Sequence, residues 1–401
     1  MKKIVTLSIL ASSLLFASGY RLPESSVKST ALSAAYVANA SGADATYYNP
    51  ANMAFGINRN QIEGALTYIN LAEIKYTDNR NPAFNSKSEE ENLLAPSLFF
   101  ASKDYDGFRY GISLNVPGGL SKRWKSPYAK AFAEEFTLKI IEINPTVAYK
   151  VNDMFAVGGG VRLVYSEGIV KSDATAIGKP VIRDMEADTI EYGYNLALTY
   201  KPVSQLNIAA TYRSNVDLNH EGNAELYLSG TKLYDGGASV DVPLPAVAAL
   251  AISYDFGGTV VEAEWDRTFW SEYKTLDFQF KDSVPAALKA PFDDPKPREW
   301  EDTDAFRLGI THQLNDKVTL MGAIATDENP APEKNLGFEL PDSDAMLYSA
   351  GVLYKYTPQM TFGASILYDS KDERDVKNDI IDGTFKDASA TLVTLGVSYA
   401  Y

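Results

Sequence analysis

Residues 107–116, GFRYGISLNV, place Phe108, Tyr110, Ile112, Leu114 and Val116 on one face. Gly107, Arg109, Gly111, Ser113 and Asn115 fall on the other. A period of two is a strand with one apolar face and one small or polar face. The pattern returns with Phe155, Val157, Val161, Leu163 and Tyr165 against Ala156, Gly158, Gly160 and Arg162. It returns again from Tyr192 to Tyr200, from Phe306 to Leu314 and from Met360 to Tyr368. In a soluble sandwich the apolar face is the core, whereas in an outer-membrane barrel it meets lipid. Alternation alone fits both.

The connections separate the two. About fourteen strands are predicted, joined by links that alternate between short and long. The short ones centre on Lys103-Asp104-Tyr105, Val151-Asn152-Asp153, Lys201-Pro202-Val203, Phe256-Gly257-Gly258, Asn315-Asp316-Lys317 and Thr357-Pro358-Gln359. Long polar stretches lie around 73–91, 117–136, 168–186, 220–237, 282–300, 327–344 and 370–387. Short turns on one rim and long loops on the other mark a transmembrane barrel with its short turns in the periplasm. The chain ends "TLVTLGVSYAY", with Val393, Leu395, Val397, Tyr399 and Tyr401 on one face, as a barrel presents an aromatic girdle. The fold class expected is all-β: a fourteen-stranded antiparallel transmembrane β-barrel. Crossing the membrane takes about 9–11 residues, so the longer segments predict strands that continue above the bilayer.

The opening residues, MKKIVTLSILASSLLFASGY, set Lys2 and Lys3 before an apolar run from Ile4 to Ala17 and the small residues Ala17-Ser18-Gly19. That order is a secretory signal peptide, with cleavage between Ala17 and Tyr20. No other apolar run reaches the roughly 18 residues of a membrane helix. The chain has no cysteine, which excludes a disulfide framework or thiolate metal site. Its net charge of −15 becomes −17 once Lys2 and Lys3 leave, against nucleic-acid binding. Twenty-five tyrosines against four tryptophans suit a chain with lipid and water girdles.

Residues 20–55 alternate poorly, are rich in Ala and Ser, and carry Pro23 and Pro50. A segment this small holds no core of its own and must pack against something; the barrel lumen is the nearest host. Three segments are thereby expected: a signal peptide over 1–18, a plug over 19–55 and the barrel over 56–401.

"GYRLPESS" followed by "ASGADATYYNPANMAF" resembles the N-terminal hatch of the FadL-type outer-membrane long-chain fatty-acid and hydrophobic-compound transporters. Further matches in order are "SLNVPGGLSKRW", "EINPTVAYKVND", "TYRSNV", "DVPLPAV", "ATDENPAPE", "LPDSDAMLYSAG" and "SYAY". The resemblance spans essentially the whole mature chain. It implies a fourteen-stranded barrel plugged by the hatch, in the outer membrane, carrying a long-chain fatty acid or another hydrophobic small molecule. Asp44, Asn49, Pro50 and Ala51 would then shape the hatch and its gate; Pro fixes φ and Asn bonds its own backbone. The bland alternative is that Asn49-Pro50-Ala51 only turns the chain into the first strand. In that family a kink in the third strand opens the wall sideways, which brings Pro117, Gly118 and Gly119 forward as the lateral exit. Pro117 donates nothing to a ladder and Gly118-Gly119 weakens pairing, so these residues either open the wall or begin a loop.

The physics of the cargo points the same way. Water is unfavourable to an apolar chain by about 0.8 kcal/mol per CH₂, roughly 10 kcal/mol for a long acyl tail. A carrier should therefore offer an apolar groove outside, an apolar pocket inside and an exit to the bilayer. In "SKRWKSPYAKAFAEEF", Tyr128, Phe132 and Phe136 recur at helical spacing beside Trp124, with Arg123 and Lys125 placed to attract a carboxylate. A loop helix packed on its neighbours has the same spacing. By parity Arg109, Arg162, Arg213 and Arg307 face the lumen, to meet a ligand carboxylate or lumen acids. Ala345 stands where a fatty-acid transporter of this family is expected to carry a basic residue, which leaves room for uncharged cargo such as aromatic hydrocarbons.

No cofactor or metal is implied. Outer-membrane lipid and lipopolysaccharide are expected neighbours, nucleic acid is not, and a monomer is expected. The rivals are a lipid hydrolase, a general porin and an adhesin. Only His220, in an expected outer loop, and His312, near a periplasmic turn, are available to a hydrolase, and neither adjoins a nucleophile motif. A porin lacks a plug.

Overall fold

The computed structural model describes residues 19–401, so the expected signal peptide lies outside the described residues. Fourteen antiparallel strands close into a barrel. They are β1 (Gln61–Leu71), β2 (Glu91–Ala101), β3 (Phe108–Arg123), β4 (Glu135–Lys150), β5 (Phe155–Asp173) and β6 (Val181–Val203). Next come β7 (Leu206–Arg213, continued by Val216–Leu228) and β8 (Thr231–Leu244, continued by Val247–Asp255). The wall is completed by β9 (Thr259–Thr268), β10 (Thr303–Gln313), β11 (Val318–Asp327), β12 (Ala345–Lys355), β13 (Met360–Lys371) and β14 (Ser389–Ala400). The seam runs from Gln61↔Ala400 to Leu71↔Ala390 and leaves no free edge. Three short helices matter below: α1 (Val27–Ala31), α2 (Ala45–Tyr48) and α3 (Pro127–Ala133).

In the lower barrel the apolar face is outside. Tyr192, Tyr194, Leu196 and Leu198 are exposed, as are Phe306, Leu308 and Ile310, while Asn195, Thr199 and Arg307 are buried. That is the lipid-facing arrangement. Above it the arrangement inverts. On upper β7, Val216, Leu218, His220 and Leu226 turn inward and Asp217, Asn219 and Glu221 outward. The inversion has a local cause. β6 and β7 pair from Val203↔Leu206 up to Asn195↔Arg213 and resume at Asp188↔Glu221, one residue out of step. A one-residue slip moves a strand's whole apolar set to the other face. Even-numbered apolar residues thus face lipid up to Tyr212 and face inward from Val216.

Several sequence expectations are corrected here. The stretches 168–186 and 220–237 are mostly strand, with short turns at 174–180 and at Ser229-Gly230, and His220 is a buried strand residue. The stretch beginning at 117 is strand as far as Arg123, and Val116 is buried rather than lipid-facing. The other long loops cap the barrel, and the short turns match the expected positions within two or three residues.

Candidate functional site

Residues 20–55 fill the lower lumen. α1 starts at Ser26, whose hydroxyl accepts from Ser29 N, and its Val27 and Ala31 lie over glycines on the wall. A Cβ at Gly363 or Gly396 would stand 2.7 Å from Val27, and one at Gly351 2.5 Å from Ala31 Cβ. The small faces of the alternating strands are thus the footprint of the plug. Polar wall groups hold it as well. Glu262 accepts from the backbone N–H groups of Val37 (2.8 Å), Ala38 (2.6 Å) and Asn39 (3.0 Å). Glu264 accepts from Tyr36 N at 3.0 Å. Three orphan donors on one carboxylate are an anion nest turned inward. Sequence reasoning missed both acids, though Glu262, Glu264 and Asp266 repeat at every second residue of β9.

Asn49-Pro50-Ala51 is seated firmly. Asn49 Oδ1 accepts from Ala51 N, while its Nδ2 donates to Val37 O (2.9 Å) and Thr199 Oγ1 (3.0 Å). Asp44 is fully buried, paired with Lys28 at 2.7 Å and bonded by Ser26 Oγ at 2.8 Å. The four lumen arginines all engage protein groups. Arg109 donates to Gly56 O and Ile57 O, where the plug joins β1. Arg162 (2.7 Å) and Arg213 share Glu142, and Arg213 also lies 4.3 Å from the Tyr47 ring centroid. Arg307 pairs with Asp266 at 2.8 Å and donates to Ser33 O at 2.9 Å.

Pro117, Gly118 and Gly119 lie at a bulge. The β3–β4 register shifts between Asn115 and Gly118. On the other side β2 and β3 pair only from Ala101↔Gly111 to Leu98↔Leu114, and above that they part. The plug's first residues cover the released edge: Leu22 N donates to Pro117 O (2.9 Å) and Gly119 N to Tyr20 O (2.8 Å). Gly118 is required there, since a Cβ would lie 2.4 Å from Tyr20 O.

Tyr20 also lines an inner cavity of about 930 Å³, its mouth included, walled by Leu120, Leu138, Met185, Val240 and Trp300 among others. An outer groove of about 1470 Å³ adjoins it and shares Phe136, Leu276, Phe278, Arg298, Leu336 and Glu339. Of the expected groove residues, Phe132 and Phe136 line this groove. Trp124 and Tyr128 are turned into the cap: the indole donates to Phe338 O at 2.8 Å, and Tyr128 stacks on Phe84 with centroids 4.2 Å apart. Arg123 pairs with Glu91 and Glu135, and Lys125 with Glu89. In the same cap, burial pushes the Asp78 carboxyl up, but bonds from Arg80 and Tyr76 outweigh it and hold it at about 2.

His220 lines the inner cavity and its Nε2 lies 2.9 Å from Ser166 Oγ. Its Nδ1 has no hydrogen-bond partner, so no carboxylate orients the ring as a serine hydrolase requires. His312 Nδ1 lies 2.9 Å from Thr259 Oγ1 on the exposed lower barrel. Ala345 is buried at the start of β12. The sequence reading also passed over Arg183, a buried cation at the groove, because residues 168–186 read as loop. The signal was there in Val181, Arg183, Met185 and Ala187, alternating with Ile182, Asp184 and Glu186.

Comparisons with known proteins agree with this architecture. The profile of a family described as outer membrane protein transport protein (OMPP1/FadL/TodX) matches residues 8–401. The chain is 27% identical to a 47 kDa outer membrane protein of Pasteurella multocida, over 99% of this chain and 98% of that one. It is 24% identical to a long-chain fatty acid transport protein of Salmonella typhi, over 68% of this chain and 69% of that one. The crystal structure of a Pseudomonas aeruginosa FadL homologue shows the same fold, with a TM-score of 0.84 at 19% identity, covering 95% and 99% of the two chains.

Proposed function

This chain belongs to the outer-membrane transport family described as OMPP1/FadL/TodX, which moves hydrophobic compounds across the outer membrane, and from that premise we propose a route through it. Cargo such as a long-chain fatty acid settles in the outer groove, passes Phe136 and Phe278 into the inner cavity, and leaves sideways into the bilayer between β2 and β3. The uptake is passive, driven by transfer of apolar surface from water to successively drier surroundings.

The observation that carries this reading is the parted β2–β3 ladder, whose β3 edge is covered by residues 20–22. Residues 20–22 meet β3 through two backbone hydrogen bonds, while Arg21 also pairs with Asp266 at 2.8 Å and the Tyr20 hydroxyl donates to Pro243 O. The moving part of the gate in this reading is Tyr20-Arg21-Leu22, which must give up those ties to uncover the β3 edge. Asn49-Pro50-Ala51 acts as its fixed anchor.

Deleting Pro117 tests the route, because it removes the extra residue and restores a donor to the ladder. Uptake of radiolabelled oleate and toluene would be measured in cells carrying this protein as their only barrel of the type. Uptake of both should fall to the level of cells lacking it, while the barrel still shows heat-modifiable migration. Undiminished uptake through the folded variant would overturn lateral release. Oleate without toluene in the native protein would fix the cargo as amphiphile, toluene without oleate as aromatic hydrocarbon, the class Ala345 leaves open.

A further inference from the structure

Asn115 stands where the wall comes apart. The β2–β3 ladder ends one residue earlier, at Leu98↔Leu114, and the β3–β4 register shifts immediately after it. Its side chain is fully buried, and neither the amide oxygen nor the amide nitrogen has a hydrogen-bond partner among the described residues. Glu142 is its register partner on β4, but the two carboxylate oxygens of Glu142 are held by Arg162 and Arg213. The hydroxyls of Ser97 on β2 and Ser113 on β3 are also buried without a partner. Two residues beyond Asn115, Leu22 N donates to Pro117 O, so this polar patch adjoins the edge that the gate covers. Asn115 is not among the residues that line the inner cavity.

An amide buried without partners costs stability, and an apolar side chain of similar size avoids that cost. The same amide sets a donor and an acceptor side by side. A protonated carboxyl carries the complementary pair, an O–H donor beside a C=O acceptor, so the two close a ring of two hydrogen bonds. A carboxylate has acceptors only and meets Oδ1 lone pair to lone pair, and an ester has no proton to donate. Resting on the transport reading above, we propose that Asn115 is an exit contact, met once the gate segment lifts, that selects cargo as the neutral acid. Hydronium gives its proton to one carboxylate oxygen, forming the O–H bond and leaving water. The charge is thereby lost before the cargo enters hydrocarbon, where an ion is costly. The cargo class is then a single-chain monocarboxylic acid, released in its protonated form.

The test compares initial uptake of radiolabelled oleate and of radiolabelled methyl oleate, which share a tail, in cells carrying this protein as their only barrel of the type. In Asn115→Leu the ratio of oleate to ester uptake should fall about tenfold from its native value, the scale of two neutral hydrogen bonds. The urea midpoint of the same variant should stay level or rise, because the unpartnered amide is gone. A purely structural amide predicts the reverse, a lower midpoint with both probes slowed alike. Asn115→Ala serves as the second variant should the leucine form overpack, with the same fall in ratio expected. An unchanged ratio in a folded variant, or ester uptake without oleate in the native protein, would overturn the exit contact yet leave hydrophobic transport standing. Uptake of neither probe by the native protein would overturn both.

Discussion

At the level of single residues, the wall and the plug meet at sub-van-der-Waals tolerance. Gly158 on β5 illustrates it: a Cβ there would lie 2.6 Å from Ala51 N and 2.7 Å from Pro50 C. Backbone, unlike a flexible side chain, has little room to yield. Gly158→Ala should therefore leave the outer wall intact but displace the Asn49-Pro50-Ala51 segment, at an overpacking cost of about 1–3 kcal/mol. The readouts are urea unfolding and single-channel conductance in a planar bilayer: a lower midpoint together with new ion leakage is expected. A tight, unchanged barrel would mean that the seat tolerates a shift. This glycine face was legible in the sequence as the small side of the alternation, but its purpose was not. Parity says which way Gly111, Gly158 or Gly309 faces; it does not say that another backbone is waiting there.

Single elements show why the candidate site was only half visible. In the membrane belt, solvent outside is lipid and the alternation reads apolar-out. Above it, solvent is water and the same strands read polar-out. Upper β6 and β7 therefore carry Asp184, Glu186, Asp188, Asp217, Asn219 and Glu221 on the surface, and such density of acids reads as loop. Arg183 and His220 were lost with those stretches. By contrast, "VPGGL" announced its bulge through a missing donor and two glycines, and α3 announced itself through Pro127 and its aromatic spacing. What α3 faces was not legible, since the partners of Tyr128 come from distant loops, Phe84 and Ile380. Those cap loops give a pH prediction. Asp78, held at about 2, stabilises its loop fully above the ordinary carboxylate value of about 3.9, and the contribution fades as pH falls toward 2. Limited proteolysis of the outer loops should be flat from neutral pH down to about 4 and rise below it. In Asp78→Asn that rise should disappear, with cleavage already elevated at neutral pH.

For the whole molecule, the strand number and the plug followed from link lengths and from a segment too small to hold its own core. The inner cavity did not, because no stretch of sequence announces a void enclosed by six strands and two loops. One more expectation belongs at this scale. α1 lies across the seam: Thr30 Oγ1 and Thr67 Oγ1 both lie 2.9 Å from Thr394 Oγ1, joining plug, first strand and last strand. Removing residues 22–55 should therefore lower the yield of heat-modifiable barrel severalfold in refolding assays, rather than produce an open pore. Full recovery of folded, conducting barrel would show that the wall closes without its filling.

That three-threonine junction bears on how the cell makes the protein safely. The segment that fills the lumen precedes the first strand of the wall, and the strand that completes the circle is the last. Because the two meet at the same hydroxyls, a wall that closes over a seated plug gains bonds that an empty wall lacks, so circularising and stoppering favour one another. For an envelope that inserts many copies of such a protein, that mutual support weighs against half-made holes and toward an unbroken permeability barrier.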